Sequence, residues 1–313
     1  WEVMKMNEAE GKILGIDIGG TKTAVVLGDE DLNIIRRREF PTEPDSGFEN
    51  FVERLSFEID ALVEREVPAR AGVSVGGPMD ANTGTLYNPP HLRWGTVNIV
   101  EPLEERFHFS VTAQHDGRAG ALAESILGAG KGFSNIIFLT LGTGLGAGII
   151  IDGKVYSGSK GLAGEVGHMR VADDGPSLFG KNGSWESYCG GTGISLYASY
   201  RFPERFRRGT TAEEIAGLAL KGDAYAVIVL EESGTYFGKG LAVLLDILDP
   251  DRIILGNLAW RLPEVWLESA MKKAVCESLI GEEARERVVL SGLKDKIGDY
   301  AALIVASGRG GRR

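Results

Sequence analysis

The sequence has little that would suit export, thiol chemistry or a membrane. Its two cysteines, Cys189 and Cys276, form no Cys-x-x-Cys pair, so neither a disulfide framework nor a redox centre is expected. No stretch approaches the roughly 18 apolar residues of a membrane-spanning helix. The first ten residues lack the basic and apolar regions of a secretory signal. We therefore expect a soluble cytoplasmic protein without a membrane partner, whose first ten residues are a loose end.

Basic residues are also in short supply. The 34 Lys and Arg residues against 44 Asp and Glu residues give a net charge of −10 at pH 7. This charge repels nucleic acid and anionic lipid, so no nucleic-acid partner is expected. At 313 residues the chain is longer than one hydrophobic core usually supports. Two domains around a cleft are the first expectation, which suits an enzyme with two substrates.

Two segments with the same order of elements indicate a duplicated α/β unit. Each is a buried strand, a glycine turn and a second strand, with the turns at Gly19–Thr21 and Gly142–Gly144. Apolar periodicity and turn residues predict further helices at 48–66, 117–127, 236–248 and 266–279, and strands at 71–75, 111–114 and 251–256. Strands mixed with helices in this order favour two related α/β lobes with a ligand between the turns.

The two glycine turns are candidate phosphate-binding sites. Backbone N–H groups that converge in a turn can hold a phosphate, and glycine permits the close approach. Neither turn is a Walker loop, since Thr21 precedes Lys22 and GTGLGAG lacks the dinucleotide-binding spacing. Either turn alone is equally well explained as a tight hairpin. Asp17 favours the phosphate site, because a carboxylate there can hold magnesium or its water; its alternative role is to cap the turn.

Five segments together resemble one known family. DIGGTKTAVVL, QHDGRAGALAE, LGTGLGAG, GLAGEVGH and DPDRIILGN are similar to the ROK (repressor, open reading frame, kinase) sugar kinases of the actin/hexokinase superfamily, from about Gly11 to Ala306. The resemblance implies a two-lobed actin-like ATPase (ribonuclease H-like) fold with duplicated βββαβαβα halves. It also implies transfer of the γ-phosphoryl group of MgATP to a sugar, with the 6-hydroxyl of a hexose as the first expectation. We place the smaller lobe at residues 1–116, completed by a C-terminal helix at 298–313, and the larger lobe at 117–297.

The resemblance also assigns site residues. Asp116 corresponds to the general base, and a carboxylate at a helix N-terminus is kept ionised to accept a proton; its alternative role is an N-cap. The implied nucleotide-binding residues are Asp17, Gly19, Gly20, Thr21, Lys22, Gly142, Thr143, Gly144, Gly256 and Asn257, where the family's Gly-Gly is an imperfect match. The implied sugar-binding residues are Gly77, His91, His115, Glu165, His168 and Glu186.

The chain departs from the family at its zinc loop. Many members bind structural zinc with the His that aligns with His168 and with three cysteines, but residues 177–184 here read SLFGKNGS. Serine and phenylalanine cannot replace thiolate ligands. We predict no zinc in this loop and expect Phe179 to fill the space by apolar packing.

A second departure lies among the implied sugar-binding residues, where His91 and His115 stand at positions that are usually asparagine. Imidazole either replaces the amide as a hydrogen-bonding group, with glucose still the acceptor, or changes which sugar is accepted. A three-histidine metal site with His168 is a third alternative. The sequence leaves open the sugar, the hydroxyl, other phosphoryl donors and the oligomeric state, although family members often form dimers.

Two other functions compete with the kinase. Part of the family carries a DNA-binding module, but only about ten residues precede the first strand and the chain is acidic, so we expect no such module. A sugar-binding protein without catalysis is the second alternative. Because Asp17, Thr21, Asp116 and Thr143 are all present, the sequence favours the kinase.

Overall fold

A computed structural model describes residues 11–64 and 66–309. The predicted loose end at 1–10 and the last residues of the predicted C-terminal helix lie outside this part. The strands are β1 Lys12–Ile18, β2 Lys22–Asp29, β3 Ile34–Pro41, β4 Arg70–Val75, β5 Met79–Asp80, β6 Thr85–Tyr87, β7 Thr96–Asn98, β8 Ser110–His115, β9 Ile136–Leu141, β10 Leu145–Ile151, β11 Lys154–Val155, β12 Ser177–Leu178, β13 Lys181–Asn182, β14 Arg252–Leu255 and β15 Val288–Leu290. The α-helices are α1 Phe48–Val63, α2 Glu101–Phe107, α3 Asp116–Leu127, α4 Trp185–Cys189, α5 Gly191–Arg201, α6 Ala212–Leu220, α7 Ala224–Leu248, α8 Leu258–Arg261, α9 Glu264–Glu277, α10 Ala284–Arg287 and α11 Ile297–Ser307.

The chain forms two compact units. The first runs to Ile126 and adds Lys154–Leu162 and the chain from Asp295 onward, whereas the second comprises Leu127–Gly153 and Ala163–Lys294. The expected lobe boundary after Asp116 therefore falls at the start of α3, within the first unit. Helix α11 belongs to the first unit as well, although it lies near the end of the chain.

The first unit is built on a five-stranded sheet in the order β3-β2-β1-β4-β8. β1 pairs antiparallel with β2 and parallel with β4, which in turn pairs parallel with β8. Successive residues of a strand point to opposite faces of its sheet. Leu14 and Ile16 of β1 join the core that includes α1, while Gly15 faces α11. Asp17, two residues after Gly15, is therefore on the α11 face of the sheet.

Glycine brings α11 close to this sheet. A Cβ at Gly72 of β4 would lie 2.1 Å from the Ala306 amide nitrogen, and one at Gly15 would lie 2.9 Å from the Leu303 nitrogen. Any larger residue at either position would push the helix away from the strands. These contacts join residues more than 230 positions apart, and they fix where the N-terminus of α11 lies relative to β1.

The second unit has a sheet in the order β10-β9-β14-β15, with β10 antiparallel to β9 and the other pairs parallel. Its long helix α7 packs on α9. The centre of this core is the buried aromatic trio Trp185, Phe237 and Trp266, with ring centroids 5.3 and 4.7 Å apart. The hairpin β9–β10 repeats the hairpin β1–β2 of the first unit, so each sheet begins with a strand pair around a glycine turn.

Several elements differ from the sequence-based expectation. Helix α7 begins at Ala224 rather than Tyr236, because Asp223 caps its N-terminus by accepting from the Ala226 amide at 3.0 Å. β3 was not predicted, and neither were β5 and β6, which lie within the Gly-, Pro- and Asn-rich loop at 76–90 and belong to a small three-stranded sheet. Helix α3 begins at Asp116, which was expected to precede it. Among the described residues, none of the helices has both the length and the apolar character needed to span a bilayer.

Candidate functional site

Hydrogen bonds to its carbonyl oxygens hold the first glycine turn, Gly19–Thr21, in place. The Thr42 hydroxyl donates to the Gly19 carbonyl at 2.7 Å, and the Thr42 amide donates to the Thr21 carbonyl at 3.0 Å. The buried hydroxyls of Thr42 and Thr23 lie 2.9 Å apart. Carbonyl oxygens would repel a phosphate. In this turn they point toward hydrogen-bond donors of the protein instead. Nothing in the neighbouring sequence marks Thr42, so its contact with this turn was not predicted.

Lys22, the expected nucleotide ligand after this turn, begins β2 with an exposed side chain. Its Nζ lies 3.0 Å from Glu39 Oε2, and 65% of the side chain is accessible. The Arg37 guanidinium also binds Glu39 at 2.6 Å and reaches Asp299 at 2.8 Å. Lys22 is thus part of a charged network on the outside of β2 and β3.

Asp17 lies on β1 opposite Ser74 of β4, two residues before the turn. Gly298 of α11 makes room for it: a Cβ at Gly298 would lie 2.0 Å from Asp17 Oδ2. Burial and the negative charge of Asp116 raise the pKa of Asp17 to about 7, with Asp299 adding to the rise and a hydrogen bond from Ser74 opposing it. The carboxyl is thus held where ionisation is unfavourable without a cation.

Asp116 is the first residue of α3 and follows directly on β8. Its Oδ1 accepts from the Gly117 amide at 2.6 Å and lies 3.3 Å from His115 Nδ1. The Asp116 side chain is 42% exposed, whereas that of His115 is 14% exposed. The other oxygen, Oδ2, faces Gly76, where a Cβ would lie 3.1 Å away. The first unit therefore brings Asp17 and Asp116 near each other at the ends of β1 and β8.

The other expected sugar-binding residues of this unit, Gly77 and His91, lie in and beside the 76–90 loop. Gly77 has φ of +115°, and a Cβ there would lie 2.8 Å from Pro89, so glycine is required by the loop itself. His91 is exposed, and its Cβ would lie 2.9 Å from a Cβ at Gly20. His91 is therefore beside the first glycine turn.

The second glycine turn, Gly142–Gly144, is also fixed through its carbonyls. The amides of Gly191 and Thr192, at the start of α5, donate to the carbonyls of Gly142 and Thr143 at 2.8 and 3.0 Å. The Gly142 amide donates to the Gly144 carbonyl at 3.2 Å. Both turns thus share one arrangement, in which protein donors hold the carbonyl oxygens.

Glu186 of α4 links the second turn to the GEVGH segment. Its Oε2 accepts from the Leu145 amide at 3.0 Å. A Cβ at Gly144 would lie 3.2 Å from its carboxylate, and one at Gly167 would lie 2.9 Å from Oε2. Glu165, expected beside it as a sugar ligand, is exposed before the short helical turn Val166–His168.

His168 stacks on Phe179, with ring centroids 6.1 Å apart at 23°. Phe179 is at the tip of the β12–β13 hairpin with φ of +52° and 55% exposure. Lys181 Nζ donates to the His168 carbonyl. The Phe179 ring therefore lies beside the imidazole, but it stays mostly exposed instead of filling a buried space.

Gly256 and Asn257, the expected nucleoside contacts, follow β14. The Gly256 amide donates to the Leu139 carbonyl at 2.9 Å, and a Cβ at Gly256 would lie 2.7 Å from that oxygen. Glycine is therefore needed for packing against β9. Asn257 precedes α8, and its buried Oδ1 has no hydrogen-bond partner within the described part of the chain. In residues 11–64 and 66–309, no cluster of three or more His, Cys, Asp or Glu side chains is arranged to hold a metal ion.

Comparison with known proteins identifies the family. The model of the ROK family matches residues 13–308. The chain belongs to the ROK family. The glucokinase of Streptomyces coelicolor is 34% identical to this ROK protein over 262 residues, which cover 79% of this chain and 82% of that enzyme. A putative xylose repressor of a Caldicellulosiruptor species is 29% identical over 309 residues, covering 94% of this chain and 77% of that protein.

A solved structure confirms the predicted fold. The ROK glucokinase of Streptomyces griseus, in complex with glucose and AMPPNP, matches with a TM-score of 0.81 and 31% identity. The match covers 96% of this chain and 100% of that one. This ROK protein therefore has the two-domain, actin-like α/β fold of the family.

Proposed function

We propose that this ROK protein is an ATP-dependent sugar kinase, which transfers the γ-phosphoryl group of MgATP to a hydroxyl of a hexose or hexose derivative. The 6-hydroxyl is the first expectation. The observation that carries the proposal is Asp116, an accessible carboxylate at the start of α3, close enough to Asp17 for its charge to raise the pKa of that residue. A base beside a phosphate turn is the arrangement that phosphoryl transfer to an alcohol needs.

In this proposal Asp116 is the general base. It accepts the proton of the sugar hydroxyl while the hydroxyl oxygen forms a bond to the γ-phosphorus. The bond from phosphorus to the bridging oxygen breaks in line, and ADP leaves with that electron pair. Because the Gly117 amide already donates to Asp116 Oδ1, the carboxylate is oriented before the sugar binds.

The two glycine turns are proposed to bind the phosphates of ATP. Their carbonyl oxygens are held by Thr42 in the first unit and by the amides of Gly191 and Thr192 in the second. Amides from such turns can then face anionic oxygens, where they offset charge without rearranging during the reaction. Lys22 adds positive charge near the first turn, while Gly256 and Asn257 are proposed to contact the nucleoside.

Asp17 is proposed to hold magnesium, directly or through water. The residues fit this ion, because Mg²⁺ prefers oxygen donors and is usually held by one or two carboxylates together with substrate phosphates. The raised pKa of Asp17 also supports a cation there, because a divalent ion would make ionisation of this buried carboxyl favourable. When bound, the ion neutralises charge on the phosphate oxygens.

The residues proposed to contact the sugar are Gly77, His91, His115, Glu165, His168 and Glu186. A ring of donors and acceptors suits a hydroxyl-rich ligand, because each unpaired buried polar group would cost about 1–3 kcal/mol. Glucose and a modified hexose, such as an N-acetylated one, are both compatible with these side chains. A regulatory protein that binds sugar without phosphorylating it is the second candidate, since a protein named xylose repressor is among the relatives.

A coupled assay of ADP release tests the proposal. A panel of hexoses, amino sugars and N-acetyl sugars is offered with MgATP, and sugar binding is measured in parallel by calorimetry. We expect at least one sugar to stimulate ADP release. In D116N, turnover should fall about 10²–10⁴-fold while nucleotide affinity stays nearly unchanged. D152N, which changes an exposed Asp in the turn between β10 and β11, is the matched control. A sugar that binds without any ADP release would favour the regulatory candidate.

A further inference from the structure

Lys22 has a carboxylate partner on the strand beside it. Its Nζ lies 3.0 Å from Glu39 Oε2, and 65% of the Lys22 side chain is exposed, against 34% of the Glu39 side chain. Lys22 directly follows the first glycine turn, whose proposed ligand is a nucleotide phosphate. A lysine that binds this phosphate must leave Glu39, so the strength of the ion pair enters the affinity for the nucleotide.

Lys22 lies on the face of its sheet that α11 covers. Leu27 of β2 joins the core that includes α1, whereas a Cβ at Gly28 would lie 2.9 Å from Leu303 of α11. Because side chains alternate along a strand, Lys22 is on the same face as Gly28. Asp17 of β1 is on this face as well, so the lysine and the proposed magnesium ligand are on one side of the sheet.

The strand register places Lys22 between two carboxylates. Ala24 pairs with Asp17 on one side and with Glu39 on the other. Lys22 is two residues from Ala24 toward the turn, so both carboxylates are diagonal neighbours, within reach of a long side chain. Burial is the main reason why the pKa of Asp17 is raised, and the charge of Lys22 opposes that rise. Rotation of its side chain can therefore bring Lys22 either to Glu39 or to the proposed phosphate site.

Glu39 has a second partner, Arg37, which donates to the same Oε2 at 2.6 Å. Arg37 Nε also donates to both carboxylate oxygens of Asp299, at 3.1 and 2.8 Å, and only 6% of the Asp299 side chain is exposed. Arg37 is thus fixed on α11 and stays beside Glu39 when Lys22 moves. Because neither carboxylate is then left unpaired, the departure of Lys22 costs little.

We propose that Glu39 is a positioning residue that limits nucleotide affinity: it holds Lys22 until a phosphate oxygen of the nucleotide replaces it, and Arg37 then keeps Glu39 paired. This inference rests on the proposed kinase function. It adds two residues of β3 to those that act on the phosphate site, and both act through Lys22 rather than by touching the nucleotide.

Calorimetric titration with AMPPNP and magnesium measures the affinity directly. E39Q keeps the shape of the side chain but removes the competing charge, so affinity should increase about two- to fivefold, as expected for an exposed ion pair. A variant that merely disturbed the sheet would bind more weakly instead. E53Q is the matched control, because it removes the same charge from an exposed position on α1, across the sheet from Lys22, and its affinity should equal that of the wild type.

A double-mutant cycle separates the exchange of Lys22 from simple repulsion between Glu39 and the nucleotide. In a K22Q background, E39Q should leave the affinity unchanged, since no lysine remains to be released. An equal gain in both backgrounds would show that Glu39 acts by its own charge, and would overturn the inference.

R37K tests the part played by Arg37. Lysine lacks the fixed fork with which arginine binds Glu39 and Asp299 together, so Glu39 should keep Lys22 and the affinity for AMPPNP should fall about twofold or more. An unchanged affinity in R37K would overturn the role of Arg37.

The ADP-release assay gives a second readout. E39Q should lower the KM for ATP, while kcat and the sugar KM stay within about twofold of the wild type, because the ion pair concerns nucleotide binding alone. A wild-type chain that binds no AMPPNP would overturn the kinase proposal together with this inference. If the wild-type chain binds AMPPNP and E39Q binds it no more tightly, this inference alone fails.

Discussion

Gly298→Ala is the smallest change expected to disturb the phosphate site. Gly298 is the second residue of α11, and its Cα lies against the Asp17 carboxylate of β1. An alanine Cβ would lie 2.0 Å from Asp17 Oδ2 and 2.7 Å from its Cγ. Real Cβ atoms essentially never approach closer than 3.0 Å to another heavy atom, so the carboxylate or the helix must move.

The size of the effect follows from that distance. Ordinary contact begins at 3.4 Å, which requires a displacement of about 1.4 Å. An overpacked site of this kind costs about 1–3 kcal/mol of unfolding free energy. If Asp17 holds magnesium, a displacement near 1 Å should also lower turnover about 10²-fold. The α11 helix cannot readily retreat, because Gly15 and Gly72 keep it against β1 and β4.

Denaturant unfolding and the ADP-release assay, run at several magnesium concentrations, measure the two effects. Gly217→Ala in α6 is the control, because a Cβ there meets no described atom within 4 Å. Its free energy of unfolding should be unchanged or higher by up to about 1 kcal/mol, as usual when alanine replaces glycine in a helix. A double-mutant cycle with Asp17→Ala isolates the contact: once the carboxylate is gone, Gly298→Ala should no longer destabilise. Wild-type stability and turnover in G298A, or an equal loss in both Asp17 backgrounds, would refute the reasoning.

Two further predictions concern protonation and zinc. The pKa of Asp17 is raised from 3.8 to about 7, so the folded chain keeps a proton that the unfolded chain releases between those values. The free energy of unfolding of the metal-free chain should therefore decrease as pH rises through that window, and D17N should lose this part of the decrease. Elemental analysis after exposure to zinc should find well below one zinc per chain, because residues 177–184 supply no thiolate. Stoichiometric zinc would contradict it.

Local chemistry explains why the two glycine hairpins could be predicted from the sequence. β1 and β9 are runs of apolar, often β-branched residues, and each ends in glycines that no longer fit a strand interior. In each hairpin the first strand, the glycine turn and the second strand all lie within about 20 residues of sequence. Helix α1 was equally clear, because its buried residues recur at helical spacing.

Distant contacts explain what was missed. Thr42, just after β3, donates a hydrogen bond to the Gly19 carbonyl of the first turn. Gly298 packs against the Asp17 carboxylate although the two residues lie almost 300 positions apart in the sequence. In sequence, Thr42 is an ordinary residue after a strand, and Gly298 would count against a helix. Only the packing of α11 on β1 shows that the second residue of the helix must lack a side chain. The carbonyl partners of the turns are non-local for the same reason, so one sequence could not indicate them.

The three histidines that were grouped as sugar ligands turn out to have separate environments. His115 is largely buried beside Asp116, and His168 stacks on Phe179, whereas His91 is exposed beside Gly20 of the first turn. Histidine in place of the expected asparagine is therefore predicted to have different consequences at positions 91 and 115. At position 115 the imidazole lies beside the proposed base, and only 14% of its side chain is exposed. At His91 the imidazole can meet a ligand directly, so a change of acceptor sugar is expected to depend on His91 more than on His115.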